Sequence, residues 1–167
     1  MPQQSIVLIG MPGAGKSTVG ILLAKELGLD FVDTDIVIQV KLKMSLQHIL
    51  EQRGYLELRK IEEQVILDLR LSSAVIATGG SAVYGSLAMN HLKSHASVIF
   101  IDVPLAVLYT RITNFDSRGI ARRNDQSFED LFKERHRLYR KYADIRIPGR
   151  DLPPAEIVSQ IIHNLKA

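Results

Sequence analysis

Gly10-Met11-Pro12-Gly13-Ala14-Gly15-Lys16-Ser17-Thr18 is the stretch whose reading decides the fold. It fits the phosphate-loop pattern G-x-x-x-x-G-K-[ST], and its context agrees with the pattern. Ser5-Ile6-Val7-Leu8-Ile9 precedes it as an apolar run of strand length, and residues 19–27 follow with apolar positions at helical spacing. Glycines let backbone N–H groups curl around a polyphosphate with no Cβ in the way. The helix that starts near Lys16 turns its positive end toward the same anion. Gly13, Ala14, Gly15, Lys16, Ser17 and Thr18 are therefore the expected nucleotide contacts. Lys16 adds a mobile charge for the β/γ-phosphates, and the Ser17 hydroxyl is placed to ligate Mg2+.

Outward from this loop, short apolar runs alternate with helical patterns. Strands are expected at 31–34, 74–77, 97–101 and 144–147 as well as 5–9. Helices are expected at 36–42, 45–52, 56–71, 86–93, 104–113, 128–142 and 155–165, with Ser45 as an N-cap and Gly54 as a break. Residues 114–127 are polar and read as a mobile surface loop. The alternation predicts a three-layer α/β/α domain spanning residues 1–167, with a five-stranded parallel sheet covered on both faces. In such sheets ligands bind beyond the carboxyl ends of the strands. Lys16 and Ser17, Asp33 and Asp35, and Gly79 and Gly80 all fall at such ends.

The 167 residues carry 46% hydrophobic and 23% charged side chains, which suits one globular domain with a substantial core. No apolar run has the length of a membrane span. Met1-Pro2-Gln3-Gln4 leads straight into the first strand, so no signal peptide is expected. Zero cysteines exclude disulfides and thiolate metal sites and fit the cytoplasm. Net charge is only +3, with basic residues gathered between 118 and 150. Aromatics are sparse and no nucleic-acid module is present, so the expectation is no nucleic-acid partner and no membrane. An anionic small substrate explains the same charges.

Asp33-Thr34-Asp35 closes the second strand. Two carboxylates two residues apart on an extended chain point the same way. Adjacent acids repel, so they call for a cation and a substrate donor. Asp33 is assigned to the metal and Asp35 to a substrate hydroxyl, as anchor and candidate base. The competing reading makes them an N-cap pair for the next helix. Thr78-Gly79-Gly80-Ser81 ends the third strand, where paired glycines expose N–H groups or simply make a tight turn. Arg59 sits near the head of a helix, where a cation opposes the dipole, so an anionic ligand becomes plausible. Arg118 lies in the polar loop, from which it could swing over the phosphates. Arg135 falls in a charged helix whose solvated face would explain most of its neighbours.

Together these residues resemble the shikimate kinase family over residues 5–165. The resemblance rests on the phosphate loop, Phe31-Val32-Asp33-Thr34-Asp35, Met44-Ser45, and Arg59 with Glu62-Glu63. Ala77-Thr78-Gly79-Gly80, Arg111, Arg118 and Arg135-x-x-Leu138-Tyr139 complete it. It implies a phosphate-loop kinase fold with a mobile lid at about 114–127, and transfer of the γ-phosphate of ATP to the 3-hydroxyl of shikimate. By resemblance, Asp35, Lys16 and Arg118 are catalytic. Asp35, Arg59, Gly79, Gly80 and Arg135 bind shikimate. Arg111 and Arg150 flank the adenine, and Ser17 and Asp33 serve Mg2+. A monomer is implied. Alternatives are a kinase of another hydroxylated carboxylic acid such as gluconate, or a non-catalytic nucleotide-binding protein. The chain departs from the family pattern around the acceptor ring and the lid. Ser81 replaces a third glycine. Gly54-Tyr55-Leu56-Glu57-Leu58-Arg59 lacks the Glu and the aromatic of Gly-Glu-x-x-Phe-Arg. Arg118-Gly119-Ile120-Ala121 stands for Arg-Pro-Leu-Leu.

Overall fold

The computed structural model describes residues 4–167, so the leader reading of Met1, Pro2 and Gln3 lies outside the described residues. Five strands form one sheet: β1 (Ser5–Ile9), β2 (Asp30–Asp33), β3 (Ala74–Ala77), β4 (Ala96–Asp102) and β5 (Ile145–Pro148). Their order is β2-β3-β1-β4-β5, and every pair is parallel. Val7 lies opposite Ile76 and Val98, and Ile101 opposite Ile147. A parallel sheet with helices on both faces has no solvated side, so its central strands read as near-continuous apolar runs. Val7, Leu8, Val75, Ile76, Val98 and Ile99 are accordingly sealed from solvent.

The helices are α1 (Lys16–Leu27), α2 (Thr34–Leu42), α3 (Leu46–Leu67), α4 (Ser86–His95), α5 (Leu105–Arg111), α6 (Phe128–Tyr142) and α7 (Pro154–Lys166). Ser45 caps α3 by accepting from the His48 N–H, as its side-chain chemistry predicts. Gly54 breaks that helix with φ 81° and ψ 168°, a conformation open to glycine, so α3 is two helical pieces meeting at a kink. A smaller apolar cluster of Ile38, Ile49, Leu58, Val65 and Ala121 fastens α2, α3 and the 114–127 segment together, apart from the main core. That segment is polar in sequence but not wholly at the surface. It holds a single 3-10 turn (Phe115–Ser117), and Ile120, Ala121 and Gln126 are buried.

Candidate active site

β1 occupies the middle of the sheet. The connection after β1 runs to β2 on one side and that after its neighbour β3 crosses to β4 on the other, so a crevice opens at the carboxyl ends of β1 and β3. The phosphate loop fills the mouth of that crevice. Gly13 and Gly15 have φ of +83° and +91°, and Gly15 is the left-handed N-cap of α1. Only glycine takes such angles without strain. The Lys16 ammonium folds back and donates to the Gly10 and Met11 carbonyls, each at 2.8 Å. Burial, with help from Arg135 and Arg118 and against Asp35, lowers its pKa to about 8.

Beside the loop, Asp33 caps α2 through Oδ1, which accepts from the Asp35 and Ile36 N–H groups. Its Oδ2 accepts from the Ser17 hydroxyl at 2.6 Å. The capping reading and the metal reading of Asp33 thus use different oxygens of one carboxylate. The extended-chain geometry assumed for Asp33 and Asp35 does not hold, because the helix begins at Thr34. Asp35 instead enters the crevice from the first turn of α2. Burial first, and then Asp33, raise its pKa to about 6.

A cavity of about 340 Å³ collects Gly13, Gly15, Lys16, Ser17, Thr18, Asp35, Gly79, Gly80, Arg111, Arg118 and Arg135. Arg135 is only 1% exposed, and its Nη2 donates to the Ala121 carbonyl at 2.9 Å. The paired glycines serve close approach, and only one of their two N–H groups is engaged within the protein. The Gly79 N–H is taken by the buried Thr34 hydroxyl at 3.0 Å. A Cβ on Gly79 would collide with the Glu62 and Asp35 carboxylates, and one on Gly80 would stand 2.7 Å from Arg135 Nη1.

Four expected contacts do not line the cavity: Asp33, which sits beside the loop on Ser17, and three more. Ala14 is packed beneath the loop. Arg150 is exposed in a left-handed turn beyond β5. Arg59 stands behind Ala121, whose carbonyl accepts from its Nη2 at 3.2 Å. Arg111 lines the cavity while bonding the Gly13 carbonyl and pairing with Asp151, both at 3.3 Å.

Glu62 escaped assignment from sequence. It is 3% exposed, accepts from the Ser81 hydroxyl, and leaves Oε1 without a partner beside Asp35. Burial, then Asp35, push its pKa up to about 7. Its signal was a charged residue on the buried stripe of α3, with Leu58, Val65 and Ile66. Tyr139, whose hydroxyl donates to the Gly80 carbonyl at 2.7 Å, was quoted only as part of a motif.

A family model described as shikimate kinase matches residues 12–166. The chain belongs to the shikimate kinase family. A shikimate kinase from Aquifex aeolicus is 37% identical over 162 residues, covering 96% of this chain and 95% of that protein. One from Microcystis aeruginosa is 38% identical, covering 95% and 84%. The solved shikimate kinase of Acinetobacter baumannii, in complex with shikimate, superposes with a TM-score of 0.90 at 30% identity, over 97% of this chain and 92% of that one. The Aquifex aeolicus structure gives 0.84 at 36%, over 97% and 96%. A sugar kinase from Janibacter, 17% identical with a TM-score of 0.63, shares the fold alone.

Against the shikimate kinase pattern, the departures acquire local reasons. Ser81 is buried and bonded to Glu62. Leu58 packs in the small cluster and lines the cavity. Gly119 has φ +70° and lies against the Leu46–Gln47 backbone, where a Cβ would not fit.

Proposed function

We propose that this shikimate kinase family member moves the γ-phosphoryl group of ATP to the 3-hydroxyl of shikimate, giving shikimate 3-phosphate and ADP. One observation carries the reading. Asp35 and the buried Arg135 share a single cavity with the phosphate loop, so a hydroxyl acceptor and a polyphosphate donor can meet there. In the reaction the acceptor oxygen bonds to the γ-phosphorus as the bond to the ADP oxygen breaks. The hydroxyl proton goes to the Asp35 carboxylate. With its pKa near 6, Asp35 is ionised at neutral pH yet basic enough to take that proton. Arg135, with Arg59 behind it, holds the acceptor carboxylate, since a planar guanidinium fork reads a planar carboxylate. Gly79 and Gly80 leave room for that acceptor.

Lys16 and the loop N–H groups of Gly13 to Thr18 hold the phosphates, and Arg118 reaches them from the lid. Arg111, and more distantly Arg150, border the adenine. The Ser17 hydroxyl and Asp33 Oδ2 are hard oxygen donors already 2.6 Å apart, which suits Mg2+, a metal that takes few protein ligands and shares phosphate oxygens. Bound Mg2+ would neutralise charge on those oxygens. Lid closure over the pair keeps water from taking the acceptor's place. The same reading makes the protein a cytoplasmic monomer without nucleic-acid or membrane partners. No helix among the described residues is long and apolar enough to cross a membrane.

The test is ADP release with ATP and Mg2+ in the presence of shikimate, of gluconate, or of neither. Release that depends on shikimate is the expected result. Release that depends on gluconate, or on no acceptor, would refute the assignment.

A further inference from the structure

Arg59 is a half-buried cation with no carboxylate within ion-pair distance among the described residues. Where the family pattern carries Glu, this chain has Tyr55, and the Tyr55 ring centroid lies 4.9 Å from the Arg59 guanidinium carbon. The Tyr84 ring lies closer still, at 3.5 Å. Tyr84 comes from the 3-10 turn (Ala82–Tyr84) that follows Gly79-Gly80-Ser81, so a second element delivers the second ring. Its hydroxyl donates to Glu134 Oε1 at 2.6 Å, and Glu134 Oε2 accepts from Gln126 at the end of the lid at 3.1 Å.

We propose that Tyr84, assisted by Tyr55, is the positioning residue that aims Arg59 at the acceptor carboxylate. The inference rests on the reading of Arg59 as a carboxylate ligand. Stacking uses the face of a guanidinium and leaves its N–H donors free in the plane. An acid would instead occupy those donors and cancel the charge the acceptor needs. The donors are in fact underused. Nη2 bonds only the Ala121 carbonyl, and buried Nε has no partner. Arg135 Nη2 converges on the same carbonyl, so the two guanidinium groups already face one acceptor oxygen. A ring against a partly desolvated cation contributes enough to fix its orientation.

The experiment compares Tyr84→Leu, Tyr84→Phe, Arg59→Ala and the Arg59→Ala/Tyr84→Leu pair in steady-state kinetics. Tyr84→Leu should raise the KM for shikimate about tenfold, the size of a desolvated cation–ring contact. It should leave kcat and the KM for ATP within about twofold, an allowance for indirect effects. Tyr84→Phe, which keeps the ring and loses the hydroxyl, should restore the wild-type KM. In the Arg59→Ala background, Tyr84→Leu should add much less than it does alone, the remainder coming from Arg135, whose guanidinium carbon lies 5.5 Å from the centroid of the same ring. An unchanged KM in Tyr84→Leu overturns the proposal, as does Tyr84→Phe as damaging as Tyr84→Leu, or an undiminished effect without Arg59. Wild-type protein indifferent to shikimate would defeat the assigned reaction instead. Urea unfolding of the same proteins then decides the positioning claim alone: non-additive midpoints for positions 59 and 84 support it, and strictly additive ones sink it.

Discussion

Lys16, Asp35 and Glu62 are three titratable groups packed into one crevice, and each is displaced toward its neutral form chiefly by burial. Water is the best solvent for a charge, so a site that excludes water must hold its charges against that cost. The displacement suits Asp35 as a base. Replacing it by Asn keeps size and hydrogen bonding but removes the proton acceptor. Asp35→Asn should lower kcat by roughly 10²–10⁴, the usual share of general base catalysis, while ATP affinity changes little. ADP-release kinetics and nucleotide titration check the two halves. In wild-type enzyme, kcat/KM should rise with pH through about 6 as Asp35 loses its proton in the free protein. It should fall again above about 8 as Lys16 loses its charge. The acid limb should vanish in Asp35→Asn, and a limb that persists unshifted there would assign it to another group.

At the scale of the element, α2 and the lid matter most. α2 begins two residues earlier than an extended carboxylate pair would require, because Asp33 caps it with one oxygen and keeps the other for Ser17. The lid is docked through Gly119, whose N–H donates to Gln47 Oε1 at 2.9 Å. With φ +70°, and Leu46 Cβ only 2.6 Å from where its own Cβ would be, Gly119 tolerates no side chain in this pose. Gly119→Ala should therefore cost about 1–3 kcal/mol of lid docking. We expect faster hydrogen exchange over residues 119–122 and a loss of about tenfold in kcat/KM, with thermal stability of the sheet nearly unchanged. Exchange and turnover both at wild-type levels would show that docking through this residue is dispensable.

For the whole molecule, the buried acids make stability depend on pH in an uncommon direction. Glu62 titrates near 7 and Asp35 near 6 in the folded chain, above their ordinary 4.5 and 3.8. Between those limits the folded state holds more protons than the unfolded one, so stability falls as pH rises. That contribution is fully present below about pH 4 and gone above about pH 7. Lys16 runs the other way. Its folded pKa near 8 lies below its ordinary 10.5, so its contribution grows only as pH climbs past 8. The ligand-free protein should thus have its weakest site contribution between pH 7 and 8. Glu62→Gln, which can still accept from Ser81, should raise the Tm at pH 7.5 by about 2–4 °C, or on the order of 1 kcal/mol, and leave it unchanged near pH 4.5. Calorimetry at both values tests this, and parallel behaviour at the two would mean that Glu62 ionises without cost.

The sequence by itself determined the strands, the phosphate loop and most of the cavity lining, because these depend on local rules. Apolar runs between glycines make buried parallel strands, and Gly13, Gly15, Lys16 and Ser17 carry their chemistry within one turn of chain. Only the tertiary structure decided how distant groups meet. Glu62 and Asp35 come from separate helices and approach each other over Gly79, which no spacing announces. Ala121 acts through a backbone carbonyl, which every residue has, so its convergence with Arg59 and Arg135 leaves no mark in residue type. Arg150 shows the converse. Its charge was legible, but the left-handed turn beyond β5 leaves it in solvent outside the cavity. Local propensity is written residue by residue, whereas desolvation and charge coupling depend on what the fold sets beside each group, and those two effects shape the chemistry of this site.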